Sequence, residues 1–140
     1  MKIRREEHMA GGNGHVIIKE ILDAEQLNGK CGLYAQVTLE PGCSLGYHEH
    51  HGESETYYIL QGQGEYNDNG TYRPVKAGDI TFTPDNHGHA LANTGNTLRV
   101  SLDALETCAN IGNPGEAPGN FSCEVFGRFT DTLIFRIPQS

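Results

Sequence analysis

Apolar and polar positions alternate along this chain in short runs. From Leu33 to Glu40, Leu33, Ala35, Val37 and Leu39 alternate with Tyr34, Gln36, Thr38 and Glu40. A period of two places one set on each face of a strand. The β-branched run His15–Leu22 predicts another strand, and so does the aromatic run Glu55–Tyr66. Gly62 and Gly64 within the latter predict a bulge or sharp twist. The runs TYRPV, DITFTP, HALAN and LRVSLDAL read as further short strands. Between them stand turn residues. Asp23 can cap a short helical turn that Asn28 and Gly29 end. Asn69-Gly70 tolerates the positive φ of a tight hairpin. Strands punctuated by turns at intervals of roughly 8–12 residues predict an all-β sandwich or barrel. No long helical pattern, internal repeat or low-complexity tract interrupts it.

The ends read differently. Residues 1–14 form a polar, glycine-ended arm. The stretch from Cys108 to Cys123 is too rich in Gly, Asn and Pro for regular structure and reads as a surface loop. Residues 125–138 read as closing strands. The run TLIFRI would be a sticky edge if unpaired, so it is expected to pair within the barrel or across a subunit interface.

Composition narrows the function classes. The 140 residues suit one domain with a real core. Eighteen acidic against ten basic residues give a net charge of -8, the wrong sign for gripping a phosphate backbone. No apolar run is long enough for a membrane span. The first fifteen residues lack the apolar centre of a secretory signal, so a cytoplasmic location is expected. Cys31, Cys43, Cys108 and Cys123 show no CxxC spacing and read as free thiols.

The chemistry concentrates in YHEHHGESETYY, Tyr47–Tyr58, with three histidines and three glutamates. His48 and His50 stand two apart, so on a strand both imidazoles share a face. Glu55 begins the next strand and can return its carboxylate to the same point. His89, after the turn PDNHG, is the candidate fourth ligand. Imidazole with carboxylate suits a divalent transition metal (Mn, Fe, Ni, Co, Zn or Cu) better than Ca or Mg. Three histidines and one glutamate would leave open positions on a six-coordinate ion. His51 and His87 read as solvated loop residues, and His8 and His15 carry no spacing argument. Glu49, Glu53 and Tyr58 are expected to face away from the ion.

Across the region the spacing becomes specific. Gly42, five residues, His48, one residue, His50, four residues, Glu55, six residues, Gly62 resembles the first motif of the cupin superfamily. Gly78, five residues, Pro84, then His89, three residues, Asn93 resembles the second. Asn86 stands where the motif usually has glycine, and Asn also accepts a left-handed turn. The resemblance covers residues 33–102. It implies a small single-domain cupin, a jelly-roll β-barrel with a short N-terminal arm and a divalent metal in its mouth. His48, His50, Glu55 and His89 become the ligands. Gly42, Gly62, Gly78, Pro84 and Asn93 become structural positions. The chain looks like stand-alone bacterial cupins likened to the oxalate-decarboxylase and mannose-6-phosphate-isomerase branches. Small cupins usually pair through a sheet face, so a homodimer is expected.

Alternation predicts the pocket. Tyr57 and Ile59 follow Glu55 on its face, and Leu91 and Asn93 follow His89. Ile80 and Phe82 are expected on the inner face, and Gln36 joins them if its strand turns that way. Arg99, between Leu98 and Val100, belongs outside, and Arg73, Lys76 and Arg128 read as solvated. No anion clamp is visible. Three functions fit. One is a metal-dependent isomerase, decarboxylase, lyase or dioxygenase acting on a small carboxylate or sugar derivative, with Glu55 or Tyr57 assisting proton transfer. The second is a non-catalytic module that binds or senses such a ligand. The third is a barrel whose metal is structural only.

Overall fold

The computed structural model describes residues 2–106, 124–129 and 132–136, with side-chain positions for residues 2–102. Residues 1–107 and 108–140 are two compact units.

The first unit is two antiparallel sheets. The larger has the strand order β1-β2-β3-β10-β5-β8. Its strands are β1 (Ile3–Glu7), β2 (His15–Glu20), β3 (Cys31–Leu39), β5 (Glu53–Gln61), β8 (Ile80–Thr83) and β10 (Leu98–Glu106). The smaller has the order β4-β9-β6-β7. Its strands are β4 (Ser44–Glu49), β6 (Gln63–Asp68), β7 (Thr71–Lys76) and β9 (Gly88–Asn93). Alternation sends one face of each sheet inward. Val16, Ile18, Val37, Leu39, Ile59 and Leu98 belong to the buried core. This is the all-β architecture expected from the pattern of short strands, in the jelly-roll form that the cupin resemblance implies.

The turn chemistry acts as its residue types demand. Asp23 caps helix α1 (Ala24–Leu27) in a reciprocal capping box with Gln26, and Asn28 closes it at φ 51°. Asn69 and Gly70 turn the β6–β7 hairpin at φ 49° and 98°. Asn86 adopts φ 63°, the left-handed turn that its motif position needs. Asn93 crosses between sheets, donating from Nδ2 to the Leu39 carbonyl at 2.9 Å.

Three expectations are corrected. The segment expected to be a polar arm carries β1, paired along its length with β2, and a single 3-10 turn at Met9–Gly11. Its charged residues obscure the strand because β1 is an outermost strand, where polar side chains are tolerated. Ile80 and Phe82 point outward, each 56% exposed, while Thr81 and Thr83 are buried. The register explains it: Thr83 pairs with Glu55 and Thr81 with Tyr57, so the threonines share the inward face. Gln36 faces outward as well. It lies opposite Ser101, whereas Ala35 and Val37 point to the core.

In the second unit, β11 (Glu124–Phe129) and β12 (Thr132–Arg136) pair as a two-stranded sheet of their own. Thr132–Arg136 of the TLIFRI run thus pairs with β11, its neighbour in sequence, and not, as expected, with a strand of either barrel sheet. The loop from Cys108 to Cys123 lies outside the described residues. Cys31 and Cys43 are buried.

Leu98 is fully buried on the inner face of β10. Leu98→Ala is expected to lower stability by about 2–5 kcal/mol through lost transfer energy and a residual cavity, measured by urea unfolding. A change below about 0.5 kcal/mol would contradict this packing, since that is the scale of surface substitutions.

Candidate metal centre

Three strands deliver the four candidate ligands. Glu55 comes from β5 and His89 from β9. His48 comes from β4, and His50 follows directly after it. Strict alternation would put Leu45 and His48 on opposite faces. A bulge prevents this: Leu45 pairs with Leu91 and His48 with His89, so Gly46 and Tyr47 oppose Ala90 alone. The extra residue re-aims His48 inward.

His48, His50, Glu55 and His89 converge, each offering one ligand atom, all within 4.8 Å of one another. Glu55 Oε2 lies 2.6 Å from His89 Nε2 and 3.0 Å from His50 Nε2. It lies 3.6 Å from His48 Nε2. His89 Nε2 is 2.9 Å from His50 Nε2 and 3.1 Å from His48 Nε2. Such spacings suit donors bound about 2.0–2.2 Å from one ion.

Each imidazole is oriented from behind by a different acceptor. His48 Nδ1–H donates to the Gly46 carbonyl at 3.0 Å. His50 Nδ1–H donates to Glu53 Oε1 at 2.8 Å. His89 Nδ1 lies 2.7 Å from Thr83 Oγ1 and 3.0 Å from Tyr66 Oη, and these hydroxyls are 2.6 Å apart. A carbonyl or a carboxylate can only accept, so His48 and His50 carry their protons at Nδ1. When these rings are neutral, Nε2 presents a lone pair to the interior. Glu55 Oε2 is buried and finds no well-angled hydrogen bond. Lone pairs gathered around an orphaned carboxylate oxygen are what a cation satisfies. The residues therefore fit a divalent metal.

The electrostatics agree. Burial alone would raise Glu55, yet the three imidazoles outweigh it and hold the carboxyl far below the usual range. The Glu55 carboxylate beside its Nε2 raises His50 to about 9 against the burial that opposes it. Burial pulls His48 down, but Glu55 and the Gly46 carbonyl leave it raised. For His89 burial prevails and its pKa is lowered.

Of the other candidates, Tyr57 is buried with its ring stacked 4.8 Å from His89, and its hydroxyl lies 3.3 Å from His89 Nε2. Ile59 and Leu91 point inward and are buried, as expected. Phe82 and Gln36 lie on outward faces and do not line the interior. His51, His87 and Arg99 are exposed. Arg73 is only partly solvated, with its guanidinium 5.1 Å over the Tyr66 ring.

Sequence reasoning missed the supporting residues. Glu53 lies behind His50, at Nδ1 and not among the ligand atoms, a supporting role that its three-residue offset could have suggested. Thr83 and Tyr66 carry no local signal, because only sheet register brings them to His89. Gly46 acts through its backbone, which no side-chain pattern reveals.

Residues 35–106 match the family described as Cupin domain. The oxalate-binding protein of Thermotoga maritima is 46% identical over 93 residues, covering 66% of this chain and 77% of that protein. The crystal structure of a predicted oxalate decarboxylase from Thermotoga maritima superposes with a TM-score of 0.74 at 40% identity, covering 76% of this chain and 94% of that one. The (S)-ureidoglycine aminohydrolase of Escherichia coli is 46% identical over 46 residues, 33% of this chain and 18% of that enzyme. With the motif spacing realised in a jelly-roll, these matches mean that the chain belongs to the cupin family.

Proposed function

We propose that this protein binds a small carboxylate of the oxalate class at a divalent metal held by His48, His50, Glu55 and His89. The observation that carries the reading is the orphaned Glu55 Oε2, set among three Nε2 atoms in a buried pocket. Its identity to an oxalate-binding protein supports the ligand class. Three imidazoles and one carboxylate suit Mn, Fe, Co, Ni, Cu or Zn. Such an ion supplies Lewis acidity toward a carboxylate oxygen. His48, the least buried of the four, marks the side from which a ligand enters.

The surrounding groups favour holding a ligand over moving its protons. Burial and the nearby Glu55 push the Tyr57 phenol well above its ordinary 10. Burial also raises Tyr66. Both stay neutral at physiological pH. Tyr57 then donates a hydrogen bond to a bound oxygen and excludes water, while Glu55 is committed as a ligand. No helix among the described residues is long and apolar enough to cross a membrane. Ile80 and Phe82 give the larger sheet an apolar outer face that a second copy covers in a homodimer.

The pH dependence follows from His50 and Glu55. In the metal-free protein His50 is raised from 6.5 to about 9. Its stabilising contribution is full below 6.5 and fades as pH rises through about 9. Glu55 is lowered, so its contribution is present above 4.5 and is lost as pH falls. At pH 7 His50 is protonated, and a metal must displace that proton. Metal uptake should therefore release about one proton or more per ion and weaken in acid. Calorimetry in buffers of different ionisation enthalpy reads this number. Uptake without proton release would contradict the assignment.

Metal-loaded protein should bind oxalate in a calorimetric titration, and chelated protein should not. Tyr57→Phe should weaken binding roughly tenfold by removing one hydrogen bond to a charged ligand. Oxalate binding undiminished by a chelator, or none by loaded protein, would end the proposal.

In light scattering the protein should have the mass of a dimer, and Phe82→Glu should shift it toward monomer. A concentration-independent monomer for the unmodified chain would rule the dimer out.

A further inference from the structure

The aim of His48 depends on backbone outside the sheet ladder that carries it. Its Nδ1–H donates to the Gly46 carbonyl. Gly46 sits in the β4 bulge, so no β9 residue pairs with it. What lies against it instead is the N-terminal turn. A Cβ on Gly46 would run into the Ala10 carbonyl and come within 2.7 Å of the Gly12 nitrogen. A Cβ on Gly12 would run into the Ser44 carbonyl and come within 2.8 Å of the Gly46 nitrogen. The two backbones thus meet with no room for a side chain between them.

Asn13 stitches the contact. Ser44 N–H donates to the Asn13 carbonyl at 2.8 Å. Asn13 N–H donates to Ser44 Oγ at 2.8 Å, and Asn13 Nδ2 to the Gly42 carbonyl at 2.7 Å. Met9 packs against the core. The segment is also strained, since His8 and Ala10 hold φ of 50° and 52°. Non-glycine residues persist in that region only where surrounding structure over-determines them.

We propose that residues 8–13 are a clamp that sets His48, so that docking of this segment and metal binding are thermodynamically coupled. The inference rests on reading His48, His50, Glu55 and His89 as the metal site. A docked segment fixes the Gly46 peptide, and that peptide fixes the ring of the least buried ligand. A released segment frees the peptide, and the ring loses its fixed acceptor. Gly12, Asn13 and Gly46 are positioning residues. Coupling is reciprocal, so the bound ion must also hold the segment down.

The test uses the full chain and Zn(II) alone, with affinity read by competition against a chromophoric chelator. Gly12→Ala should weaken zinc binding roughly tenfold, within the range for residues that orient a ligand from behind. Asn13→Ala should weaken it severalfold. In the unmodified protein, zinc should slow hydrogen exchange at the Gly11 and Gly12 amides, which bond to the carbonyls of His8 and Met9. Variants within twofold of the unmodified affinity, or exchange that zinc leaves unchanged, would overturn the clamp. If Gly12→Ala does not fold, Asn13→Ala and the exchange measurement decide. An unmodified chain that takes up no zinc, or binds it equally after His89→Ala, would overturn the site reading itself.

Discussion

A carboxylate buried among three imidazoles is the interaction around which this barrel is organised. An isolated buried carboxylate costs several kcal/mol or more, enough to protonate it instead. Glu55 nevertheless stays ionised, because His48, His50 and His89 present their Nε2 atoms to it. The same contacts would be repulsive lone pairs if every group were neutral and no cation were shared. The centre is therefore built to share protons or, as proposed, a metal, and exchange between the two would tie its occupancy to pH.

Such a centre needs rigid support, because a misplaced imidazole leaves a buried polar atom unsatisfied. The support differs for each ring. A backbone carbonyl holds His48, a carboxylate holds His50 and a pair of hydroxyls holds His89. Gly46 and Glu53 are close in sequence to the rings they hold, whereas Thr83 and Tyr66 reach His89 from β8 and β6, one in each sheet. The threonine and tyrosine behind His89 are themselves buried, which keeps that hydrogen-bond network dry.

The inner surface grades from this polar end into an apolar core of Ile59, Leu91, Val37 and Leu39. Tyr57 stands at the boundary, its ring stacked on His89 and its hydroxyl beside the ligand atoms. The small carboxylate proposed as ligand would suit such a cup: a bound cation would attract its charge, the neutral Tyr57 hydroxyl would meet one oxygen, and the apolar wall would exclude water.

Much of this is local chemistry. Period-two alternation, the Asn-Gly turn and the Asp23 cap each depend on neighbouring residues, so the strands, the hairpin and the short helix were legible in sequence. The cluster of His48, His50, Glu55 and His89 was legible because its spacing matches a known motif. The rest required tertiary structure. Phe82 and Thr83 are equally plausible inward residues until pairing with β5 selects the threonine, since a one-residue register shift exchanges the faces of a strand. The β1 strand hides behind its charges because an outermost strand tolerates them. His48 faces inward because of a bulge whose insertion appears only against β9. Tyr66 and the turn at Met9–Gly11 act through partners distant in the chain, and no local pattern encodes a distant partner. Sequence by itself determined which side chains could bind a metal. Folding decided how those side chains converge and how His89 is held, because Thr83 and Tyr66 come from strands that only the closed barrel brings to its ring.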